Sequence, residues 1–338
     1  MQQRIRDGYG IDSPYGAHLW LDIRHLGEEH LRTKLLEVWD ICRDFVGRNP
    51  AKELIPVRPT QHYSMGGVRV NKDGQAYGLA GLFAVGEAAC WDMHGFNRLG
   101  GNSLAETLVS GRIVGRRVAE FASGHELQAD TGIAFAALAD AEKRVETLLA
   151  RSGSGPSIYD IRDAMGETMM NKVGIFRTQD ELAEAVSEIG QLLDDFDNAV
   201  LRCKDPGVNP ELAFALRLKG MLRLAMTVAK GAEARTESRG AHYRSDYPLR
   251  NDRDWLSRTL VRWGSNDSEP SFSYEPTGII DLPPGHRGYG SDERIEMTES
   301  LDDHNEDVLQ EQTDHGRLAS TEEMGSRLQR GAWKAVTG

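Results

Sequence analysis

The chain has few cysteines and no long apolar run. Its 338 residues contain only Cys42, Cys90 and Cys203, and no pair has CxxC spacing. Zinc and iron–sulfur sites built by one chain need clustered thiolates, so these scattered thiols exclude such a site and suit a reducing compartment. No apolar segment approaches the ~20 residues of a membrane-spanning helix. We therefore expect no metal site and no membrane span in this sequence.

Positive charge is also in short supply. Forty basic residues stand against 52 acidic residues, which gives a formal net charge of −12. We therefore expect neither nucleic acids nor anionic membrane surfaces as direct partners. Part of the imbalance lies in residues 291–338, with twelve acidic and five basic residues, and we expect this tail to be solvated or partly disordered.

The stretch between Arg58 and Glu106 places a histidine, an arginine and a glutamate around a glycine-rich turn that opens a helix. Residues 79–85 form a short apolar run bounded by glycines, which is typical of a strand buried on both faces. Glu87 follows this run, and a carboxylate at the carboxyl end of a sheet strand can accept hydrogen bonds from ribityl or sugar hydroxyls. The alternative is that Glu87 only ends a strand in solvent.

A polar loop at residues 94–101 leads into a segment with helical periodicity. Asn102 is a good N-cap, and residues 103–121 repeat apolar side chains at helical spacing. The predicted apolar stripe consists of Leu104, Leu108, Gly111, Val114, Val118 and Phe121. A helix start offers unpaired N–H groups and a partial positive charge, so it would stabilise an anion or a reduced flavin ring.

His62 and Arg98 are the candidate substrate-binding residues. Arginine presents a planar fork that matches a carboxylate, and histidine adds a donor that can also carry charge. Taken singly, each has an ordinary explanation, namely a surface ion pair for Arg98 and a structural histidine beside Tyr63 for His62. Three glycine-rich polar turns in one stretch favour a binding site instead.

Three motifs point to a family. Residues 58–67 read RPTQHYSMGG, residues 94–104 read HGFNRLGGNSL, and residues 237–242 read ESRGAH. In this order they closely resemble the flavoprotein subunit of succinate dehydrogenase and fumarate reductase, with Phe96 where alanine is usual. Residues 22–27 and 56–59 are similar to sequence just upstream in that family. The resemblance therefore spans most of the chain.

The resemblance implies a role for each matching residue. His62 and Arg98 would bind substrate carboxylates. The contacts to FAD would come from Glu87, Asn102, Ser103 and Leu104. In this family a hydride passes between the flavin and succinate or fumarate, and electrons leave through an iron–sulfur subunit towards a membrane-anchor subunit. The chain is then expected at the cytoplasmic face of the inner membrane, held there through its partners.

The sequence also departs from the family. It has no GxGxxG motif to bind the FAD pyrophosphate, no counterpart of the histidine that carries covalent flavin in many members, and no counterpart of the proton-transferring arginine. Arg4 and Arg6 do not lie in the family's setting. We therefore expect the carboxyl-terminal part of a larger flavoprotein, beginning at an internal or re-initiated methionine. Alone, it would neither bind FAD tightly nor turn over substrate, because the amino-terminal half would supply the missing groups.

The predicted fold class is α/β plus α. Residues 1–58 would end a capping domain, and residues 59–123 would form the carboxyl-terminal part of a Rossmann-like FAD-binding domain. Residues 124–245 would form an antiparallel helical bundle, and residues 246–338 a small α+β domain with the acidic tail. Periodicity and turn signals predict strands at 18–23, 259–263 and 271–274, a hairpin around residues 71–74, and helices at 29–45, 133–149 and 159–171. Two further helices are predicted to begin after a capping box at Thr178 and after Asn209.

A cluster of charges follows the predicted bundle. Its members are Arg235, Arg239, His242, Arg244, Glu233, Glu237 and Asp246. One interpretation is an exposed salt-bridged face, which would contribute little to stability. The family resemblance makes an interface with the electron-transfer subunit an equal alternative.

Two other functions remain open at this point. L-aspartate oxidases share similar HGANR, NSL and ESRG elements and need no partner subunit, although the RPT motif, the predicted strand pair and the acidic tail argue against them. A non-catalytic fragment that folds as a helical scaffold is the third possibility, and the missing nucleotide-binding motif motivates it.

Overall fold

The computed structural model describes residues 1–95, 97–125, 131–205, 207–264 and 269–277. The chain divides into two compact units, Met1–Phe121 and the part from Ala122 onward. Both contain helices and strands, in agreement with the predicted α/β plus α fold class. The acidic tail at residues 291–338 lies outside the described residues. Within the described part, no helix is long and apolar enough to cross a bilayer.

The first unit is built from short elements and one long helix. Its helices are α1 (Gln2–Arg4, continued by a π-helical turn at Ile5–Tyr9), α2 (Glu28–Lys34), α3 (Leu36–Asp44) and α4 (Asn102–Gly124). Its strands are β1 (Leu19–Leu21), β2 (Ile55–Val57), β3 (Val68–Arg69) and β4 (Ala89–Cys90). Strand β1 pairs antiparallel with β2, and β3 pairs parallel with β4.

The predicted helix at residues 29–45 is divided in two. Leu35 leaves the helical region of backbone conformation, with φ −130° and ψ 39°. Its amide still bonds to the carbonyl of Leu31, and its carbonyl accepts from the amide of Trp39, so the two helices are joined by one distorted residue. Leu31, Trp39 and Cys42 form the buried side of the pair.

The predicted buried strand at residues 79–85 is wrong. Gly78 and Gly81 take φ values of +76° and +86°, which break an extended chain. Leu79 is 59% exposed and Leu82 is 42% exposed, so the run is not a core strand. The predicted hairpin is confirmed just before it: the amide of Asn71 bonds to the carbonyl of Gln75, and Val70 pairs with Ala76.

Helix α4 begins one residue earlier than predicted. Asn102 is its first residue, and the carbonyl of Gly101 accepts the bond from Ala105, so Gly101 occupies the cap position predicted for Asn102. Gly101 has φ +81°, a conformation that glycine adopts without steric cost.

The predicted apolar stripe of α4 is wrong over its first two turns, although its member Val114 is buried. Leu104 and Leu108 are about three-quarters exposed, and the buried face carries Glu106, Ser110 and Val114. The hairpin turn selects this face, because Gly74 lies so close to Val114 that an added Cβ would approach it to 2.4 Å. Two polar residues are therefore drawn into the interior one and two turns before Val114.

The second unit contains a helical bundle of α5 (Thr131–Ala150), α6 (Ile158–Lys172), α7 (Gln179–Asn198) and α8 (Pro210–Ala234). All four helices were predicted. The hydroxyl of Thr178 accepts from the amide of Glu181, and the side chain of Asn209 accepts from the amide of Leu212, which confirms both predicted N-caps. Apolar side chains from these helices form two buried clusters, one around Leu218 and one around Ile189.

The predicted strand pair is confirmed at the end of the described chain. After the short helix α9 (Asp252–Trp255), strand β5 (Ser257–Arg262) pairs antiparallel with β6 (Ser271–Pro276), with Thr259 opposite Tyr274. Trp263 follows β5 and donates its indole N–H to the hydroxyl of Thr227 on α8, at 2.9 Å. This bond joins the strand pair to the bundle.

The two central members of the charge cluster are buried, in contrast to the exposed face that was one of its two predicted interpretations. Arg244 and Glu237 are both fully buried. The guanidinium of Arg244 makes a two-pronged contact with the carboxylate of Asp246 at 2.8 and 2.7 Å. It also donates to the carbonyls of Ala232, Glu233 and Arg235 and to the side chain of Gln179. Arg244 therefore supplies donors to the last carbonyls of α8, which have no partner within the helix.

Glu237 is the matching buried acceptor. Its carboxylate accepts from Arg235 at 2.7 Å, from Arg239 at 2.8 Å and from the amide of Asn251 at 2.8 Å. Because every one of these contacts is internal to the second unit, they account for ESRGAH as a structural motif. The alternative of a partner interface at this motif stays a prediction.

We expect Arg244→Leu to lower the free energy of unfolding by about 3–5 kcal/mol, because it leaves three carbonyls at the end of α8 and the carboxylate of Asp246 without the donor that Arg244 supplies from the interior. Urea unfolding followed by circular dichroism would measure this loss. Lys219→Met is the matched control, since Lys219 pairs with Asp197 where both side chains are about half exposed, and its cost should stay below about 1 kcal/mol. Equal losses for the two variants would contradict the prediction.

His242 is held neutral inside the same cluster. Its Nδ1 lies 2.8 Å from Nη1 of Arg177, which can only donate, so Nδ1 accepts and the Nε2–H donates to the carbonyl of Arg235 at 3.1 Å. Burial, and then the positive charge of Arg177, lower the pKa of His242 to about 4. The unfolded chain therefore takes up a proton at this residue before the folded chain does.

This difference predicts a pH dependence with a definite sign. The contribution of His242 is fully present above the unfolded pKa of about 6.5 and is lost as the pH falls towards 4, by about 3 kcal/mol in total. His242→Gln can keep both hydrogen bonds but cannot titrate, so we expect its unfolding free energy to change less between pH 7 and pH 4.5. His30→Gln, at an exposed histidine, is the control. An unchanged pH dependence in His242→Gln would contradict the assignment.

Candidate functional site

Arg98 is fixed against the first turn of α4. Its Nε donates to the hydroxyl of Ser103 at 2.5 Å, and its Nη1 donates to the side chain of Asn97 at 3.0 Å. No hydrogen bond reaches Nη2 from the described residues. The guanidinium is therefore anchored at Nε and Nη1 and keeps Nη2 as a donor that a carboxylate could meet.

The segment that contains His62 meets Arg98 through Tyr63. The guanidinium carbon of Arg98 lies 4.4 Å from the centre of the Tyr63 ring, which is a cation–π contact. His62 itself is exposed. The structure thus brings together the two segments predicted to bind substrate. The contact runs through Tyr63, a residue for which the sequence predicts no role.

Glu87 joins the same segment to a short 3₁₀ turn at Gly86–Ala88. Its Oε1 accepts from the amide of Ser64 at 2.7 Å, and the side chain is exposed. Neither predicted interpretation, a sugar-binding carboxylate or a strand end in solvent, included this bond. A carboxylate has about four acceptor positions, so Glu87 can still accept from a ligand hydroxyl.

The start of α4 has the features that an isoalloxazine ring requires. The amides of Ser103 and Leu104 have no hydrogen-bond partner among the described residues, and the helix start adds a partial positive charge. A Cβ added at Gly100 or Gly101 would meet nothing within 4 Å, so the approach is open. Leu104 is 74% exposed and offers an apolar surface. These residues fit the ring of FAD, whereas nothing in the sequence supplies the GxGxxG motif for its pyrophosphate.

A second pair of side chains lies on the interior side of the loop. His94 Nε2 is 3.7 Å from Oε2 of Glu106. Both atoms are buried, and neither has a hydrogen-bond partner among the described residues. They line a cavity of about 640 Å³ whose wall also includes Arg69, Lys72 and Trp91. Periodicity could not find this pair, because Glu106 lies outside the apolar stripe that it predicts for α4.

The loop between β4 and α4 also contains a strained residue. Asp92 has φ +68° and is the one non-glycine with positive φ in the described chain. Its carboxylate pairs with Arg69 at 3.4 Å. The left-handed conformation costs roughly 1–2 kcal/mol in a residue with a side chain, so the ion pair helps to hold the loop in this shape.

The predicted site residues therefore fall into two groups. Arg98, Asn102, Ser103 and Leu104 lie together at the start of α4, and Arg98 contacts Ser103 directly. Glu87 and His62 lie on the segments that approach this helix, through Ser64 and Tyr63. Their roles in binding FAD and substrate stay predictions.

Two family profiles match the sequence. Residues 3–104 match an FAD binding domain, and residues 162–289 match the carboxyl-terminal part of fumarate reductase flavoproteins. The first match covers the loop and the helix start described above. The two matches together indicate the class of FAD-binding flavoproteins.

Known proteins specify the family. The chain is 41% identical to a fumarate reductase flavoprotein subunit of Helicobacter pylori over 85% of its length and 44% of the relative's. It is 42% identical to a fumarate reductase flavoprotein subunit of Mycobacterium tuberculosis over 84% of this chain and 49% of that one. Its structure matches a quinol fumarate reductase of Escherichia coli with a TM-score of 0.78 and 35% identity, over 86% of this chain and 50% of that one.

The chain therefore belongs to the flavoprotein-subunit family of succinate dehydrogenases and fumarate reductases, and FAD is the cofactor of that family. The predicted resemblance to this family is confirmed. The family assignment is favoured over the two alternatives, an L-aspartate oxidase and a non-catalytic scaffold. The chain spans about half the length of the curated relatives it matches.

We expect the close approach of the Gly67 backbone to the Ala88 carbonyl to be essential for the stability of the first unit around the site. A Cβ at Gly67 would lie 2.3 Å from the carbonyl oxygen of Ala88, next to Glu87. Gly67→Ala should therefore destabilise the first unit by about 1–3 kcal/mol more than Gly66→Ala does. Gly66 is a matched control, because it also has positive φ but nothing within 4 Å of an added Cβ. Thermal unfolding of both variants measures the difference, and equal midpoints would contradict the assignment.

Proposed function

We propose that this chain contributes the substrate-binding arginine and the flavin-ring side of the site to a succinate dehydrogenase or fumarate reductase flavoprotein. The observation that carries the proposal is the position of Arg98. Its guanidinium is anchored by Ser103 and Tyr63 at the start of α4, and its Nη2 has no hydrogen-bond partner among the described residues. A dicarboxylate bound there would lie beside the helix start, where FAD would accept or donate the hydride.

Arg98 and His62 would both bind the substrate. The planar guanidinium would bind one carboxylate through two parallel donors, and the exposed imidazole of His62 would donate to the substrate from the neighbouring segment. Together they would fix the C2–C3 bond against the ring, and such orientation can account for much of a rate enhancement.

The same elements would hold the cofactor. The amides of Ser103 and Leu104, which bond to none of the described residues, would donate to the ring, where the helix start favours negative charge. Asn102 lies in the same turn, and Glu87 would accept from a ribityl or sugar hydroxyl. The pyrophosphate-binding motif and the proton-transferring arginine would come from polypeptide outside these 338 residues. Residues 1–58 would then belong to a capping domain, and residues 59–123 to the FAD-binding domain.

The partners follow from the family. Relatives in solved structures are quinol fumarate reductases, and we propose that electrons leave this flavoprotein through an iron–sulfur subunit to a membrane-anchor subunit and a quinone. The assembly would place the chain peripherally at the cytoplasmic face of the inner membrane.

Replacing Arg98 tests the proposal directly. In the assembled enzyme, Arg98→Ala should lower kcat/KM for succinate by about a hundredfold or more, because a charge-assisted, two-pronged contact is lost at the reacting substrate. The flavin content should stay unchanged. Arg112→Ala is the control, since Arg112 is an exposed arginine on the same helix. Unchanged succinate turnover in Arg98→Ala would remove Arg98 from the site.

The substrate class is tested on the unmodified enzyme. Succinate and L-aspartate should be offered in parallel with a dye as electron acceptor. Reduction with succinate alone supports the proposal, and reduction with L-aspartate alone would assign the chain to an aspartate oxidase.

A further inference from the structure

The unexplained feature near the site is the buried pair of His94 and Glu106. The carboxylate of Glu106 is 98% buried on α4, and its Oε1 lies 3.3 Å from the hydroxyl of Ser110. Its Oε2 faces His94 Nε2 across 3.7 Å. A buried acceptor and a buried ring nitrogen left without partners are unfavourable, and these two atoms face each other.

The pair belongs to the loop that presents Arg98. The loop between β4 and α4 makes two direct side-chain contacts, between Asp92 and Arg69 and between Arg98 and Ser103. Between these two contacts along the chain, His94 Nε2 lies 3.7 Å from the buried carboxylate of Glu106. His94 lies four residues before Arg98, and Glu106 lies one helical turn after Ser103.

Glu106 also acts on the ring beneath Arg98. Burial, and then the negative charges of Glu106 and Glu87, raise the pKa of Tyr63, so Glu106 lies within electrostatic reach of the phenol on which Arg98 stacks. The other charged groups on the cavity wall are Arg69, Lys72 and Asp92. Arg69 and Asp92 pair with each other.

We propose that Glu106 is a positioning residue, which holds His94 and thereby fixes the loop that aims Arg98 at the substrate. The proposal rests on the proposed function for its substrate, but its geometry concerns the loop alone. Glu106 touches neither substrate nor flavin in this account. Replacing Glu106 should therefore weaken substrate binding and leave the rate of the reaction of bound substrate nearly unchanged.

The test is a double-mutant cycle in the assembled enzyme. Glu106→Gln keeps the shape of the side chain and removes its charge, and His94→Gln removes the imidazole. We expect each single variant to raise KM for succinate about tenfold, with kcat within about twofold, because Arg98 is misplaced rather than removed. The double variant should be no worse than either single variant. Glu120→Gln, at an exposed carboxylate of the same helix, should leave KM and kcat unchanged. Glu106→Asp keeps the charge and should raise KM less than Glu106→Gln does.

A readout without turnover complements the cycle. Phenylglyoxal modifies accessible arginines, and mass spectrometry can follow Arg98 and the exposed Arg112 on the same sample. In Glu106→Gln we expect Arg98 to react several times faster and Arg112 at an unchanged rate, with an unchanged melting temperature.

Several results would overturn the proposal. An unaltered KM and an unaltered rate of Arg98 modification in both single variants would show that the pair does not position the loop. Losses that multiply to about a hundredfold in the double variant would show that the two residues act independently. If the unmodified enzyme fails to use succinate while Arg98 still reacts faster in Glu106→Gln, the proposed function fails and the positioning role stands.

Discussion

The site depends on one junction, where the loop at residues 91–101 meets the first turn of α4. A guanidinium in water is mobile and strongly solvated, and it can recognise a planar carboxylate only if its own orientation is set in advance. In this chain the orientation is set by Ser103 from the helix and by Tyr63 from the segment that contains His62. The helix start adds a partial positive charge and amide donors at the same place.

The second unit depends on an interaction of a different kind. Its helices bury apolar clusters in the usual way, but buried charged side chains bond to the backbone at the end of α8. Arg244 supplies donors to the last carbonyls of that helix, and Glu237 collects three donors nearby. Breaking such a network is costly because it leaves a buried charge without its partner. The contacts that the ESRGAH motif makes within the second unit thus give it a structural role, whether or not it also lies at an interface.

Sequence reasoning was accurate where local chemistry decides the structure. Thr178 and Asn209 cap their helices as predicted, because side-chain oxygens at these positions bond to nearby amides regardless of the rest of the fold. The strands at Ser257–Arg262 and Ser271–Pro276 also follow from local patterns. The structure also brings Arg98 and Ser103, two predicted site residues, into contact, and their roles in binding stay predictions.

The errors occurred where packing decides. Residues 79–85 have the composition of a buried strand, but positive φ at Gly78 and Gly81 turns the chain, and no local rule predicts those angles. On α4 the hairpin turn at Gly74 packs against Val114, so the buried face carries Glu106 and Ser110 and leaves Leu104 exposed. For the same reason the pair of His94 and Glu106 could not be predicted, since it depends on which face of the helix is covered.

The central claim is that Arg98 binds a dicarboxylate beside the flavin at the start of α4. An experimental structure of the assembled, flavin-loaded enzyme with a bound dicarboxylate, such as malonate, tests it most directly. We expect one carboxylate within hydrogen-bond distance of Arg98 Nη2, with His62 on the same ligand and Ser103 still in contact with Nε. A ligand bound elsewhere, with both Arg98 and His62 more than a hydrogen bond away from it, would contradict the account.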